Sequence, residues 1–128
     1  LGKFFPEIDI VLLGCDIIMH ETFITKAGAH LIAAAAKTYN IPIFVLADSR
    51  KILNKKFFPQ SVLGTFIGKE EKSGDEIWKN PPANVEVIFN HIEEVPNHLI
   101  TKFILEKDAF TPEELSEKID KVLVANFF

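Results

Sequence analysis

Two apolar runs set the architecture of this chain: Ile8-Asp9-Ile10-Val11-Leu12-Leu13, which leads into Gly14-Cys15-Asp16, and Ile-Pro-Ile-Phe-Val-Leu-Ala-Asp at residues 41–48. Both runs are too short for helices, so they predict strands that are buried on both faces of a sheet. A segment with helical spacing separates them, and two such strands joined by one helix form a right-handed βαβ crossover. Ligands of these sheets bind at the carboxyl ends of the strands, where we expect Asp16 and Asp48.

The composition indicates one modest domain and excludes several classes of protein. Of the 128 residues, 48% are hydrophobic, which is enough for a single core. The net charge of −4, without a basic cluster, argues against direct nucleic-acid binding. No apolar run approaches the roughly 20 residues that a membrane span needs, so no membrane partner is expected. A single cysteine favours a reducing, cytoplasmic location. Because the chain starts at Leu1 and enters a strand almost at once, we expect it to be a piece of a longer protein.

The segment between the two apolar runs predicts an amphipathic helix. One apolar stripe appears at helical spacing, formed by Ile24, Gly28, Leu31, Ile32, Ala35 and Tyr39. Thr25 is placed to cap the start of this helix, which puts Lys26 in its first turn. Asn40 suits the left-handed position after the helix, and Pro42 prevents the helix from continuing.

The rest of the chain predicts one further strand and two further helices. We expect a strand at residues 85–89, a helix that begins near Pro96 and a last helix that begins at Thr111. The last helix has a capping box, because Glu114 follows Thr111 by three positions. Residues 68–84 predict a polar loop. Three strands alone make a poor sheet, so we expect a partner chain or an amino-terminal part to complete it.

The end of the first strand is the best candidate for a binding site. Gly14 allows a ligand to approach the backbone closely, and Asp16 projects from the strand end toward the helix start. Alternatively, Asp16 bonds the amides of a turn at residues 20–21. Lys26, together with the free N–H groups of the helix start, would bind a phosphate; alternatively, it is a solvated lysine.

Other reactive residue types give weaker signals. Cys15 lies in an apolar strand and alternates away from Asp16, so we interpret it as a small buried residue rather than a nucleophile. The four histidines lack the spacing of shared metal ligands, and we expect no metal site. No glycine-rich dinucleotide motif, P-loop or serine-hydrolase motif occurs, which disfavours those enzymes, and no cofactor is expected.

Three segments together resemble a known family. VLLGCDII at residues 11–18, ITKAGA at 24–29 and AAAAKTYNIPIFV at 33–45 are similar, in collinear order, to the carboxy-terminal domain of the translation initiation factor 2B alpha/beta/delta family. That superfamily also contains methylthioribose-1-phosphate isomerase and ribose-1,5-bisphosphate isomerase. Further similar segments lie at residues 51–59, 93–101 and 111–113.

The resemblance implies a fold and two alternative functions. The fold is an α/β, Rossmann-like, three-layer domain with a mostly parallel sheet, which spans residues 1–128 and is incomplete at its amino-terminal side. The first function is a subunit domain that assembles with copies of itself or related subunits and binds a small phosphorylated ligand, a sugar phosphate or nucleotide. Such subunits serve guanine-nucleotide exchange on initiation factor 2 in translation initiation. The second function is the carboxy-terminal half of an aldose–ketose sugar-phosphate isomerase.

The resemblance also implies roles for individual residues. Asp16 matches the general acid/base aspartate of the isomerases, and Lys26 matches a lysine that holds the substrate. Gly14, Thr25 and Lys26 are therefore expected to contact the ligand. Thr25 stands where the family has Asn, and Ala29 stands where it has Thr. These two departures favour the first function. In the isomerases the aspartate works with a cysteine from an earlier segment, and Cys15 does not match that cysteine. Isomerisation needs both an acid and a base in place, and this chain shows one of the two.

Overall fold

The computed structural model describes residues 2–54 and 74–125. These residues contain the strands β1 (Val11–Gly14), β2 (Ile17–Ile18), β3 (Thr22–Lys26), β4 (Ile43–Ala47), β5 (Ile92–Pro96), β6 (Lys102–Leu105) and β7 (Asp108–Phe110). They also contain the helices α1 (Ala29–Thr38) and α2 (Pro112–Ala125). None of the helices in these residues is long and apolar enough to cross a membrane.

The strands form two sheets. The larger sheet has the order β1-β4-β6-β7, in which β1 and β6 both pair parallel with β4, and β7 pairs antiparallel with β6. The smaller sheet has the order β2-β3-β5 and is antiparallel. Helix α1 lies in the chain between the parallel neighbours β1 and β4, as the two apolar runs predict. The predicted α/β class with a mostly parallel sheet is therefore confirmed.

The core lies between one face of the larger sheet and the two helices. Alternate strand residues are buried on that face, namely Val11, Ile43, Val45, Phe103 and Leu105. Ala33 and Ala36 of α1, with Leu115 and Ile119 of α2, belong to the same cluster. The ring of Phe23 meets that of Phe103 edge to face at 5.8 Å and joins the smaller sheet to this core. The described helices therefore cover one face of the larger sheet. The described residues do not form the expected third layer on its other face.

A hairpin of β2 and β3 lies between β1 and α1, which the sequence analysis did not predict. The predicted turn at residues 20–21 connects its two strands. The predicted helix start is wrong, because Thr25 and Lys26 are the last residues of β3 and α1 begins at Ala29. All five residues of β3 pair with β5, so cross-strand pairing with a distant segment outweighs the local helical spacing.

The carboxyl end of α1 is as predicted. Asn40 has a φ of 56°, in the left-handed region. Its N–H donates to the carbonyl of Lys37 at 3.2 Å, and the N–H of Ile41 donates to the carbonyl of Ala36 at 2.9 Å. These two bonds form a Schellman motif, which satisfies carbonyls that the helix end leaves free.

The elements predicted between residues 85 and 105 are wrong. Residues 85–89 contain no strand, and the segment expected to lead into a helix is β5, with Pro96 as its last residue. A short 3-10 turn at Asn97–Leu99 then leads into β6, where a helix was expected. Short apolar runs fit either a helix or a buried strand, and here the pairing of β6 with β4 selects the strand.

The start of α2 confirms the predicted capping box. The N–H of Thr111 donates to Oε2 of Glu114 at 2.8 Å, and the N–H of Glu114 donates to Oγ1 of Thr111 at 3.3 Å. Two other predictions are tested only in part, because residues 55–73 lie outside the described residues. They are the family-like segment at residues 51–59 and the polar loop at residues 68–84.

Candidate functional site

The residues predicted for the site line one cavity of about 490 Å³, next to the end of β1 and the start of α1. They are Gly14, Asp16, Thr25 and Lys26. The hairpin brings them together, because β3 returns alongside the segment that follows β1. The N–H of Asp16 donates to the carbonyl of Ile24 at 2.8 Å, which holds the two segments in register. The juxtaposition was therefore predicted, but a strand rather than a helix positions Thr25 and Lys26.

Asp16 and Lys26 form an ion pair at the mouth of the cavity. The Nζ of Lys26 lies 3.5 Å from Oδ2 of Asp16, and the two side chains are 73% and 41% exposed. A pair this open contributes only about 0–1 kcal/mol. An anionic ligand can therefore draw the Lys26 ammonium away from Asp16 at little cost. The carboxylate contacts Lys26 and not the amides of the turn at residues 20–21, the alternative considered from the sequence.

Thr25 and Gly14 form the inner wall of the cavity. Thr25 is buried, and its hydroxyl donates to the carbonyl of Gly14 at 2.9 Å. Its proton is thus engaged, while the hydroxyl oxygen can still accept a hydrogen bond from a ligand hydroxyl. A Cβ atom added at Gly14 would meet no heavy atom within 4 Å. The backbone at Gly14 therefore borders open space in the cavity.

Lys51 is a lining residue that the sequence analysis did not assign to the site. Its Nζ donates to the carbonyl of Cys15 at 2.6 Å, which places a second ammonium at the cavity. Lys51 follows the end of β4 closely, and the carboxyl ends of the parallel neighbours β1 and β4 meet at one sheet edge. The rule that ligands bind at the carboxyl ends of parallel strands could therefore have identified Lys51 from the sequence.

Asp48 caps the short turn that follows β4. It precedes the 3-10 turn Ser49–Lys51, and its Oδ1 accepts hydrogen bonds from the N–H and the Nε of Arg50, both at 3.0 Å. The side-chain hydrogen bond from Arg50 lowers the pKa of the Asp48 carboxyl. Asp48 directly follows the last residue of β4, so its expected place at the carboxyl end of that strand is confirmed, but it does not line the cavity.

The amino end of α1 also borders the cavity. Gly28 is the N-cap with a φ of 101°, and no side chain at that position caps the helix. Instead Glu93, from the neighbouring strand β5, accepts a hydrogen bond from the N–H of His30 at 2.8 Å. This carboxylate complements the positive end of the helix dipole. Gly28 and Ala29 line the cavity, so the helix start faces any ligand that enters it.

Cys15 is not suited to nucleophilic chemistry. Its side chain is buried, and desolvation raises the pKa of the Cys15 thiol to about 11, although the nearby Lys51 acts in the opposite direction. The thiol is therefore protonated at neutral pH, and the thiolate is the reactive form. The interpretation of Cys15 as a small buried residue is confirmed. In the part of the chain that the structure describes, no group of three or more His, Cys, Asp or Glu residues could hold a metal ion.

Comparison with known proteins identifies related sequences. The profile of the Initiation factor 2 subunit family matches residues 1–112. Methylthioribose-1-phosphate isomerase from Thermosynechococcus vestitus is 32% identical, over 90% of this chain and 33% of its own length. Ribose 1,5-bisphosphate isomerase from Archaeoglobus fulgidus is 30% identical, over 86% of this chain and 34% of its own. The chain thus spans about a third of the length of these relatives.

Solved structures show the same fold. Subunit delta of translation initiation factor eIF-2B from A. fulgidus has a TM-score of 0.72 at 23% identity and covers 93% of this chain and 36% of its own. The 5-methylthioribose 1-phosphate isomerase from Pyrococcus horikoshii has a TM-score of 0.69 at 22% identity, over 94% of this chain and 35% of its own. The tetrameric eIF2B-beta2-delta2 complex from C. thermophilum has a TM-score of 0.60 at 16% identity, over 93% and 32%.

Proposed function

The chain belongs to the Initiation factor 2 subunit family, and from this membership we propose that it binds a phosphorylated sugar in the cavity between β1 and α1. The observation that carries the proposal is the weak, open ion pair of Asp16 and Lys26 at the mouth of that cavity. The Lys26 ammonium of this pair suits an anion, and the Asp16 carboxylate suits sugar hydroxyl groups. Both are available, because neither is held strongly by its partner.

The phosphate is bound by positive charge from three sources. Lys26 supplies an exposed ammonium, and Lys51 supplies a second one at the cavity wall. The start of α1 adds the positive end of a helix dipole at Gly28 and Ala29. The sugar hydroxyls then donate to the Asp16 carboxylate and to the hydroxyl oxygen of Thr25.

We place this site in a subunit that assembles with further copies of itself or with related subunits. The fold shared with the tetrameric eIF2B-beta2-delta2 complex supports this form of the proposal. This subunit proposal includes a role in translation initiation, through guanine-nucleotide exchange on initiation factor 2. The role is tested by measuring the rate of guanine-nucleotide release from initiation factor 2, with and without the intact protein.

Aldose–ketose isomerisation of the bound sugar phosphate is the second candidate function. The observation that favours it is that the two curated relatives described above are sugar-phosphate isomerases. In this reaction Asp16 moves one proton between neighbouring carbons of the sugar, and a second group has to move another proton between the oxygens on those carbons. The buried, protonated Cys15 is not suited to be that second group.

Calorimetric titration of the full-length protein tests binding, with ribose 1,5-bisphosphate, methylthioribose 1-phosphate and AMP as probes. We expect Lys26→Met to weaken binding of the preferred sugar phosphate by about tenfold, because it removes a charge-assisted contact. Lys37→Met is the matched control, since Lys37 lies in the last turn of α1 and its loss should change affinity by less than about twofold. Binding that is unaffected by Lys26→Met, or weakened equally by both changes, contradicts the proposal.

Turnover of the bound sugar phosphate distinguishes the two candidate functions. Asp16→Asn keeps the shape of the side chain and removes its charge. Loss of turnover in this variant, with assembly intact, supports the isomerase. Binding without turnover in the unmodified protein supports the subunit, and equal turnover in both forms rules out a catalytic Asp16.

A further inference from the structure

Glu106 has a backbone conformation that its own turn does not explain. It is the first of two residues, Glu106 and Lys107, that connect β6 to β7, and Leu105 pairs with Asp108 on either side of them. Its φ of 43° lies in the left-handed region, where a two-residue hairpin turn normally has glycine, asparagine or aspartate. A glutamate is strained there, because its Cβ atom crowds the backbone. The rest of the structure therefore has to offset this strain.

The Glu106 side chain reaches along the sheet edge to the segment that follows β4. Its Oε1 accepts a hydrogen bond from the N–H of Ser49 at 2.7 Å. Strands β4 and β6 are parallel neighbours, and Ala47 and Leu105 form their last register pair, so both segments leave the sheet at the same edge. A hydrogen bond to a carboxylate is stronger than one between neutral groups. Glu106 thus ties the β6–β7 turn to the first residue of the Ser49–Lys51 turn.

Other contacts hold the rest of the Ser49–Lys51 turn. The Oδ1 of Asp48 accepts a hydrogen bond from the N–H of Arg50 at 3.0 Å. Beyond the turn, Ile52 forms a parallel bridge with Ile18, and the N–H of Leu53 donates to the carbonyl of Ile18 at 2.7 Å. Asp48 and β2 therefore hold the middle and the far end of the turn, while Glu106 holds its first amide.

Lys51, the last residue of this turn, connects it to the proposed sugar-phosphate site. Its Nζ donates to the carbonyl of Cys15 at 2.6 Å. An ammonium has three N–H groups, so two of them remain for a ligand in the cavity that Lys51 lines. Ordering a lysine side chain costs conformational entropy. A turn that already fixes the backbone of Lys51 lowers the cost of placing its ammonium on a ligand.

We propose that Glu106 is a positioning residue of the sugar-phosphate site: through Ser49 it fixes the turn that presents Lys51 to the ligand. Glycine would relieve the strain at residue 106 but has no acceptor for the Ser49 amide. The strained glutamate thus serves ligand binding rather than the stability of the hairpin. This inference rests on the proposed function, because the place of Lys51 affects binding only if the cavity accepts an anion.

Calorimetric titration of the full-length protein with ribose 1,5-bisphosphate and with methylthioribose 1-phosphate tests the inference. Glu106→Gly should weaken binding of the tighter probe by about fivefold, since the ligand then has to order Lys51 itself. The melting temperature should stay within about 2 °C of the unmodified protein, because relief of the strain offsets the lost hydrogen bond.

A double-mutant cycle tests whether Glu106 acts through Lys51. Lys51→Met alone should weaken binding by about tenfold, because it removes a charge-assisted contact. Adding Glu106→Gly to Lys51→Met should change affinity by less than about twofold, since the ammonium that Glu106 positions is already absent.

Two control variants separate the hydrogen bond from other effects of the substitution. Glu106→Gln keeps an acceptor for the Ser49 amide and should bind within about twofold of the unmodified protein. Lys107→Gly places a glycine in the same turn but leaves that acceptor in place, and it should also bind within about twofold.

The outcomes distinguish failure of this inference from failure of the proposed function. Lys51→Met that weakens binding while Glu106→Gly does not overturns this inference alone. So does an equal loss from Glu106→Gly with and without Lys51→Met, an equal loss from Glu106→Gly and Lys107→Gly, or a fall in melting temperature of more than about 5 °C in Glu106→Gly. If neither probe binds, or Lys26→Met has no effect, the proposed function fails and this inference fails with it.

Discussion

At the scale of single residues, Gly14 and Gly28 border the same cavity but differ in backbone conformation. A Cβ atom at either position would meet no heavy atom within 4 Å, so space does not distinguish them. Gly28 has a φ of 101°, which residues with a side chain rarely adopt, whereas Gly14 lies in β1 without a positive φ. The difference between the two glycines is therefore conformational.

Gly28→Ala is expected to lower the free energy of unfolding by about 1–2 kcal/mol, because a Cβ atom is strained at this φ. Gly14→Ala is the control and should change stability by less than about 0.5 kcal/mol, since its conformation suits alanine. Urea denaturation of both variants measures the difference. Equal stability of the two variants would contradict the need for glycine at residue 28.

At the scale of elements, the two helices begin in different ways. The start of α2 is satisfied by neighbours in sequence, through the reciprocal bonds of Thr111 and Glu114. The start of α1 has no side-chain N-cap, and a carboxylate from another strand, Glu93, accepts one of its amides. A local pattern therefore predicts the start of α2 and misses the start of α1.

Thr111→Ala is expected to lower the free energy of unfolding by about 1 kcal/mol, since it removes the hydroxyl that caps α2. Ser116→Ala, within the same helix, is the control and should be neutral or slightly stabilising, because alanine is the better helix former. Thermal denaturation followed by circular dichroism compares the two variants. A Thr111 variant as stable as the Ser116 variant would contradict a role for the capping box in stability.

At the scale of the whole molecule, one face of the larger sheet lacks cover from the described residues. Leu12 of β1 and Leu46 of β4 lie on that face and are 56% and 45% exposed. Phe44 pairs with Leu12, and Ile104 pairs with Leu46, on the same side. Sheets with parallel strands are normally covered on both faces, so this apolar surface is expected to meet another protein surface.

We expect the protein to self-associate through this face. Leu12→Gln combined with Leu46→Gln should shift the association equilibrium toward the monomer, because burial of a leucine contributes about 1.5–3 kcal/mol. Leu31→Gln is the control, since Leu31 is more exposed than either but lies on α1. Sedimentation velocity over a range of concentrations measures the effect. A monomer at every concentration, or association unchanged in the double variant, would contradict this prediction.

Local patterns in the chain were sufficient for the features whose partners lie nearby in sequence. The apolar runs of β1 and β4 predicted buried parallel strands, and the capping box predicted the start of α2. Strand ends in such a sheet converge at one edge, so the end of β1 was also a sound guide to the cavity at Gly14 and Asp16.

Distant contacts selected the remaining features. Residues 22–26 fit a helix start as well as a strand, and pairing with β5, some seventy residues later in the chain, makes them β3. The same pairing carries Lys26 to Asp16 and Glu93 to the start of α1. Lys51 reaches the cavity only through a contact between separate segments. The physical reason is that propensity and periodicity act over a few neighbouring residues, whereas hydrogen-bonded pairing and burial reward whichever segments the fold brings together.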